Sequence, residues 1–299
     1  MVEPIWGILI AAYLFLGGMA GGAYMIAAWL DFFGKDRYRV LTKSGVYTSL
    51  IAILAGLVFL ILDLKRFMVA PFSIINAYLH FPESMISFGT WTITAFTIIS
   101  LLTTILWILR GNRILIKLLE IIGLILGFST AAYTGTLLSF ARGRPFWGSP
   151  FLPWLFIISG ISTGLCLVVL CIPILGRFMP RLDLEFSELL EQRHRFSETL
   201  REIGKYTIAL IIFEGLSILL FLGTVWSTHG ASSLVFGNLS MLFYAFLLLS
   251  LLAPFSLEFY SSRMSGDENT IIFSSLTGSA LTLIGGFILR YMILIAGQL

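Results

Sequence analysis

Eight long apolar runs dominate the sequence, and they restrict the chain to very few folds. They fall at residues 5–30, 44–64, 86–109, 114–139, 152–176, 205–228, 235–258 and 271–296. Each is long enough to cross ~30 Å of hydrocarbon at about 1.5 Å per residue. Lipid offers no water to backbone N–H and C=O groups, so such runs must be helices that satisfy these groups internally. The composition agrees. Hydrophobic residues make up 58% of the 299 residues and charged residues 12%, where a soluble protein carries roughly 25% charge. The fold class expected is an all-α polytopic membrane protein: eight transmembrane helices in helical bundles, forming one integral membrane domain over 1–299.

Basic residues predict the orientation. The loops after the first, third, fifth and seventh runs carry fourteen of the nineteen Lys and Arg, and the opposite loops carry four: Lys65, Arg66, Arg142 and Arg144. Arg290, inside the eighth run, is the nineteenth. Cytoplasmic loops are enriched in Lys and Arg, which places both termini outside the cytoplasmic membrane. The long inner stretch 177–204 contains Leu182-Asp-Leu-Glu-Phe-Ser-Glu-Leu-Leu-Glu and reads as a cytoplasmic amphipathic connector between the fifth and sixth helices. The outer loops at 65–85 and 140–151 are rich in aromatics and Pro. They suit either anchoring at the membrane interface or docking of a partner, where aromatics and Arg are enriched. Arg142, Arg144 and Trp147 are the docking candidates. A net charge of +3 carries no nucleic-acid signal.

Few residues can hold a cofactor. His80, His194 and His229 do not converge within the spans, so a bis-His haem is not expected. Cys166 and Cys171 are two thiols where an iron–sulfur cluster usually takes four, and free Cys usually packs as a small buried group. The expectation is no haem, no iron–sulfur cluster and no metal in this protein.

Ionisable groups at membrane depth are costly and mark function by default. Glu214 lies near the middle of the sixth run, either as a proton relay or as a structural hydrogen bond to a neighbouring helix. Arg290 lies in the outer part of the eighth run beside Gly285-Gly286. Asp63 ends the second run on the same side, a candidate partner for Arg290 or, locally, for Arg66. Tyr13 and Tyr133 lie at similar outer depth in the first and fourth runs. These groups from four helices fit a pocket with phenols and a carboxylate to bond a polar head group, or four unrelated satisfied residues.

Six stretches resemble one family. They are "YLFLGGMAGGAY" at 13–24, "LDLKRF" at 62–67, "ESMISFGTW" at 83–91, "YTGTLLSF" at 133–140, "ARGRPFWGSPFLPWLFIISGISTG" at 141–164 and "GGFILRYMILIAGQ" at 285–298. In that order over eight spans they are similar to the NrfD family, which includes the membrane subunit of polysulfide reductase. The resemblance implies a haem-free subunit of a respiratory oxidoreductase complex that binds a quinone, of menaquinone type, near its outer face. It also implies an extracytoplasmic iron–sulfur subunit as partner and, through it, a catalytic subunit.

By the same resemblance Tyr133 matches the helix-four tyrosine, and Asp63 matches the Asp of an Asp-Leu motif, with Arg66 retained beside it. Tyr13 occupies a position where the polysulfide reductase subunit carries His. The quinone-binding set is then Tyr13, Asp63, Arg66 and Tyr133, with Glu214 and Arg290 as proton-pathway candidates. Two other readings compete: a secondary transporter, and a passive anchor without its own quinone site.

Overall fold

The computed structural model describes residues 6–63, 78–79, 84–141, 143–178, 184–263 and 267–299. The described residues are 90% helical, and no strand occurs among them. The long helices are α1 (Ile8–Phe33), α2 (Arg39–Asp63), α3 (Met85–Ile108), α4 (Arg113–Ser139) and α5 (Phe151–Phe178). After a short α6 (Leu184–Glu191) come α7 (Arg193–Val225) and another short helix, α8 (His229–Val235). The seventh span runs from α9 (Ser240–Phe246) through a π-helical stretch, Leu247–Leu252, into α10 (Ala253–Arg263). The last span is α11 (Glu268–Ala296). Eight of these segments are long and apolar enough to cross a membrane.

Short connections make sequence neighbours antiparallel. In the first bundle α1 packs on α2, α2 on α3, α3 on α4 and α4 back on α1. In the second, α5 packs on α7, α7 on α10, α10 on α11 and α11 back on α5. The two four-helix bundles join where α1 meets α5 and α11, and where α4 meets α5.

The seam is built from glycine. A Cβ on Gly22 would stand 1.9 Å from the Gly160 carbonyl oxygen, and one on Gly164 2.3 Å from the Ala23 nitrogen. On the opposite side of α1, a Cβ on Gly21 would stand 2.3 Å from the Gly127 oxygen of α4. Lipid is as apolar as a leucine side chain, so membrane helices associate through close van der Waals packing, and small residues permit it. The "GGMAGG" of α1 is therefore the packing device that places this helix between the two bundles. The π-helical stretch serves a similar fit: Ser250 backs onto Gly285 of α11, where a Cβ would stand 2.5 Å from the serine Cβ.

The basic-loop ends differ from the apolar runs. Helix α7 begins at Arg193, so its 33 residues extend about 50 Å, well beyond the hydrocarbon. The extension stays helical because one side of it, through Phe196, Leu200 and Ile203, is buried in an apolar cluster with Val169 and Phe186. Across 177–204, then, Leu184–Glu191 forms a short helix and Arg193 already begins the next span. Residues 179–183 lie outside the described set. Glu185 of α6 pairs with Lys43 at 2.9 Å and with Arg39 at 3.5 Å, tying the connector to the N-terminal end of α2.

Candidate functional site

At the end of the bundles away from the basic loops, α1 and α4 bring Tyr13 and Tyr133 together. Both are buried, at 3% and 4% exposure, and the two phenols lie within electrostatic range of each other. The Tyr133 ring lies flat against Gly89 of α3, where a Cβ would stand 1.8 Å from Cζ. Any other residue at 89 would occupy the volume of the phenol. No hydrogen bond joins either hydroxyl to another described residue, and neither oxygen is among the buried polar atoms that lack a partner, so both retain access to open space. Ile93, Phe96 and Leu138 add apolar surface to the same cluster.

Asp63 closes α2 at the same end and is partly exposed. Gly56 faces the Tyr13 backbone, with its Cβ position 3.7 Å from the Tyr13 oxygen. Asp63, seven residues later, therefore lies about 10 Å nearer the surface. Arg66 lies outside the described residues.

Asp63 does not pair with Arg290, one of its two candidate partners. Arg290 is fully buried and turns to α5. Nη1 donates to the Ser159 hydroxyl, Nη2 donates to the Phe156 carbonyl at 3.1 Å, and the guanidinium lies 5.0 Å from the Phe156 ring centroid. Gly286 lies one turn below Arg290 on α11 and packs against Thr163 of α5, and Nη2 lies 3.5 Å from the Cβ position of Gly18 on α1, an ordinary contact distance. The charge nearest Arg290 is Glu214 of α7, itself fully buried, whose carboxyl lies beside Ser159 and Ser162. Neither Glu214 oxygen accepts a hydrogen bond of normal geometry. Ser159 accepts from Arg290, and its own proton is free to turn toward Glu214. The arrangement is Arg290–Ser159–Glu214 across α11, α5 and α7. The position of Gly18 also faces Thr134 Oγ1, 3.7 Å from its Cβ. The guanidinium and the hydroxyl of the residue that follows Tyr133 thus meet the same position on α1.

The loop between α4 and α5 is drawn into the fold. Trp147 is 3% exposed, donates its indole N–H to the Ile293 carbonyl at 2.9 Å and stacks on Trp6 at 5.5 Å. Its ring fills the space above Gly297. Arg144 donates to the Gln298 carbonyl at 2.9 Å. Arg142 lies outside the described residues. Trp147 therefore shapes this face from within, and Arg144 remains partly exposed on it.

Reading the runs did not single out three further buried carboxyls. Asp31 and Glu120 lie near the basic-loop ends of α1 and α4. Glu258, in α10, accepts from Ser275 at 3.2 Å and abuts Gly204. The available signal was a carboxyl within or beside an apolar run, the same signal that marked Glu214.

A separate apolar groove of about 470 Å³ opens on the half of the seam nearer the basic loops, lined by Ile26, Trp29, Leu165, Leu210 and Phe213 among others. At its basic-loop mouth Tyr38 donates to Glu202, which also pairs with Arg37 at 2.8 Å. Burial and that bond push the Tyr38 phenol up to about 12, so it stays a donor at neutral pH. Among the described residues no group of three or more His, Cys, Asp or Glu is placed to hold a metal ion.

The family model "Polysulphide reductase, NrfD" matches residues 2–299. The chain belongs to this family. Among its relatives, the NrfD homologue of Haemophilus influenzae is 27% identical, over 99% of this sequence and 95% of its own length. A polysulfide reductase subunit of Wolinella succinogenes is 29% identical over 54% of this sequence and 56% of its own. The Hdr-like menaquinol oxidoreductase integral membrane subunit of Archaeoglobus fulgidus is 23% identical over 59% of this sequence and 44% of its own. With its eight spans, the protein is a multi-pass membrane subunit of the NrfD family.

Proposed function

We propose that this protein is the quinone-reactive membrane subunit of a respiratory oxidoreductase complex in the cytoplasmic membrane. Its basic loops face the cytoplasm, and both termini lie on the other side. The observation that carries the reading is the pair of buried phenols, Tyr13 and Tyr133, held together without hydrogen-bond partners near the end opposite the basic loops. A quinone head group carries two carbonyls that need donors, and two phenols are donors at neutral pH. The names of relatives, a menaquinol oxidoreductase and a polysulfide reductase among them, favour menaquinone.

Reduction of the quinone takes two electrons and two protons. Among the described residues no group is placed to hold a metal carrier, and we assign the electrons to an iron–sulfur subunit docked on the face bearing Arg144 and the Trp147 loop, with Arg142 close by in the sequence, which links it to a catalytic subunit. Asp63, nearer the surface than the phenols, exchanges protons with the water on that face. Arg66 stands beside it in the sequence. Glu214 and Arg290, joined through Ser159, supply a second protonatable group, with the guanidinium meeting α1 at Gly18 beside Thr134.

The orientation is tested with single cysteines at Asn238 and Glu191, in a background lacking Cys166 and Cys171. An impermeant maleimide added to whole cells should label position 238 and spare 191, and the reverse pattern would invert the topology. The pocket is tested with a photoreactive menaquinone analogue on the purified complex. Label should fall on peptides of α1 and α4 around Tyr13 and Tyr133. Label confined to the inner groove at Ile26 and Leu210 would move the quinone to the other half of the membrane.

A further inference from the structure

The basic-loop end of the first bundle holds a buried acid pair that the quinone reading does not use. Asp31 comes from the last turns of α1 and Glu120 from the second turn of α4, at 6% and 0% exposure. Antiparallel packing of these two helices brings the carboxyls within hydrogen-bonding reach of each other. One oxygen of each is satisfied. Arg113 donates to Asp31 Oδ1 at 2.6 Å, and the Trp107 indole donates to Glu120 Oε1 at 3.1 Å. The other oxygens, Asp31 Oδ2 and Glu120 Oε2, are buried and receive no donor.

Two adjacent carboxylates repel each other, and each buried oxygen without a donor forfeits its lost hydration. A single proton removes both penalties. It cancels one charge, and the resulting O–H donates to the opposing oxygen. The surrounding charges leave room for it. From α2, Lys43 and Arg39 each lie 5.8 Å from the centre of the Trp107 ring, and both pair with Glu185 of α6. From α4, Arg113 lies 4.7 Å from the same ring and bonds Asp31. From α3 the neighbour is the neutral Trp107 indole, and from α1 the neutral phenol of Tyr24.

We propose that Asp31 and Glu120 share one proton and form the site at which protons from the basic-loop side enter the first bundle. Arg113, with 45% of its side chain exposed, brings water to the edge of the pair. Above it, Tyr24 lies against Gly123, one turn from Glu120, and is bonded to Thr103 Oγ1 at 2.8 Å. Next comes an apolar layer, where the Phe96 ring meets Tyr24 edge-on at 5.6 Å and α1 touches α4 at Gly21 and Gly127. Tyr133 stands beyond that layer, thirteen residues or about 20 Å along α4 from Glu120. The shared proton does not depend on the quinone reading. Its use as a supply for the pocket rests on that reading.

Glu120→Gln is the informative variant. Its amide keeps the shape, donates permanently to Asp31 Oδ2 and still accepts from Trp107, so the complex should assemble with an unchanged melting temperature. The difference infrared spectrum, wild type minus Glu120→Gln, is recorded without added quinone. It should show a protonated-carboxyl C=O band that shifts in heavy water, and the wild-type band should be insensitive to sodium. Identical spectra would overturn the shared proton. A band that sodium abolishes would assign the site to a metal cation instead. In vesicles, proton uptake from the basic-loop side during quinone reduction should fall roughly tenfold or more in Glu120→Gln, with dye-linked activity of the catalytic subunit unchanged. Unchanged uptake would overturn the entry role. A wild-type complex that shows the band but no quinone turnover would count against the quinone reading alone.

Discussion

Arg290→Met destabilises the membrane domain by about 3 kcal/mol, the lower end of what breaking a buried ion pair costs. The lower end applies because Ser159 stands between Arg290 and Glu214. At about 1.4 kcal/mol per power of ten, the folded fraction falls roughly a hundredfold relative to the unfolded. The loss has two parts. The Phe156 carbonyl and the Ser159 hydroxyl lose the forked donor that joins α11 to α5, and Glu214 is left as an uncompensated carboxyl in a dry interior. Glu214→Gln relieves only the second part. The double variant should therefore lose less than the sum of the two single variants, as read from denaturant or thermal unfolding of the purified subunit. Strict additivity would show that the two groups do not act as a pair. Arg290→Lys should recover little, because an ammonium cannot reach both acceptors with the planar fork of a guanidinium.

The eight spans were legible because lipid leaves the backbone no alternative to helices, so apolar length alone reveals them. Their ends were less legible. An apolar window sees only membrane depth, and Arg193–Gly204 is helical because it packs on the inner apolar cluster, not because lipid surrounds it. The π-helical stretch at Leu247–Leu252 is written in leucine and serine like its flanks, and only Gly285 on another helix shows why Ser250 sits where it does.

The site was legible in part. The depths of Tyr13 and Tyr133 follow from their places in the runs, and the structure brings them together. Asp63 was one candidate partner for Arg290, which bonds α5 instead, because which way a side chain turns depends on the helix beside it. Ser159 and the Phe156 carbonyl of α5 supply the acceptors that hold Arg290. Asp31 and Glu120 are 89 positions apart in the sequence, and nothing local announces that α1 and α4 pair. Trp147, read from its aromatic loop as a docking residue, is buried by Gly297 and Ile293 from the far end of the sequence.

The largest functional effect expected is at Tyr133, where the ring can be kept and only the hydroxyl removed. Tyr133→Phe preserves the contact with Gly89 and the packing of α3 on α4, so assembly should be unaffected. One quinone carbonyl then sits in a buried site without its donor, at a cost of about 1–3 kcal/mol, equivalent to roughly a five- to hundredfold loss of affinity. The measurement is the apparent KM for quinone of the assembled Tyr133→Phe complex, set beside the activity of its catalytic subunit with a soluble dye. The account predicts roughly a five- to hundredfold rise in KM with the dye-linked rate unchanged. An unaltered KM in an intact complex would contradict it and take the quinone out of the space between Tyr13 and Tyr133.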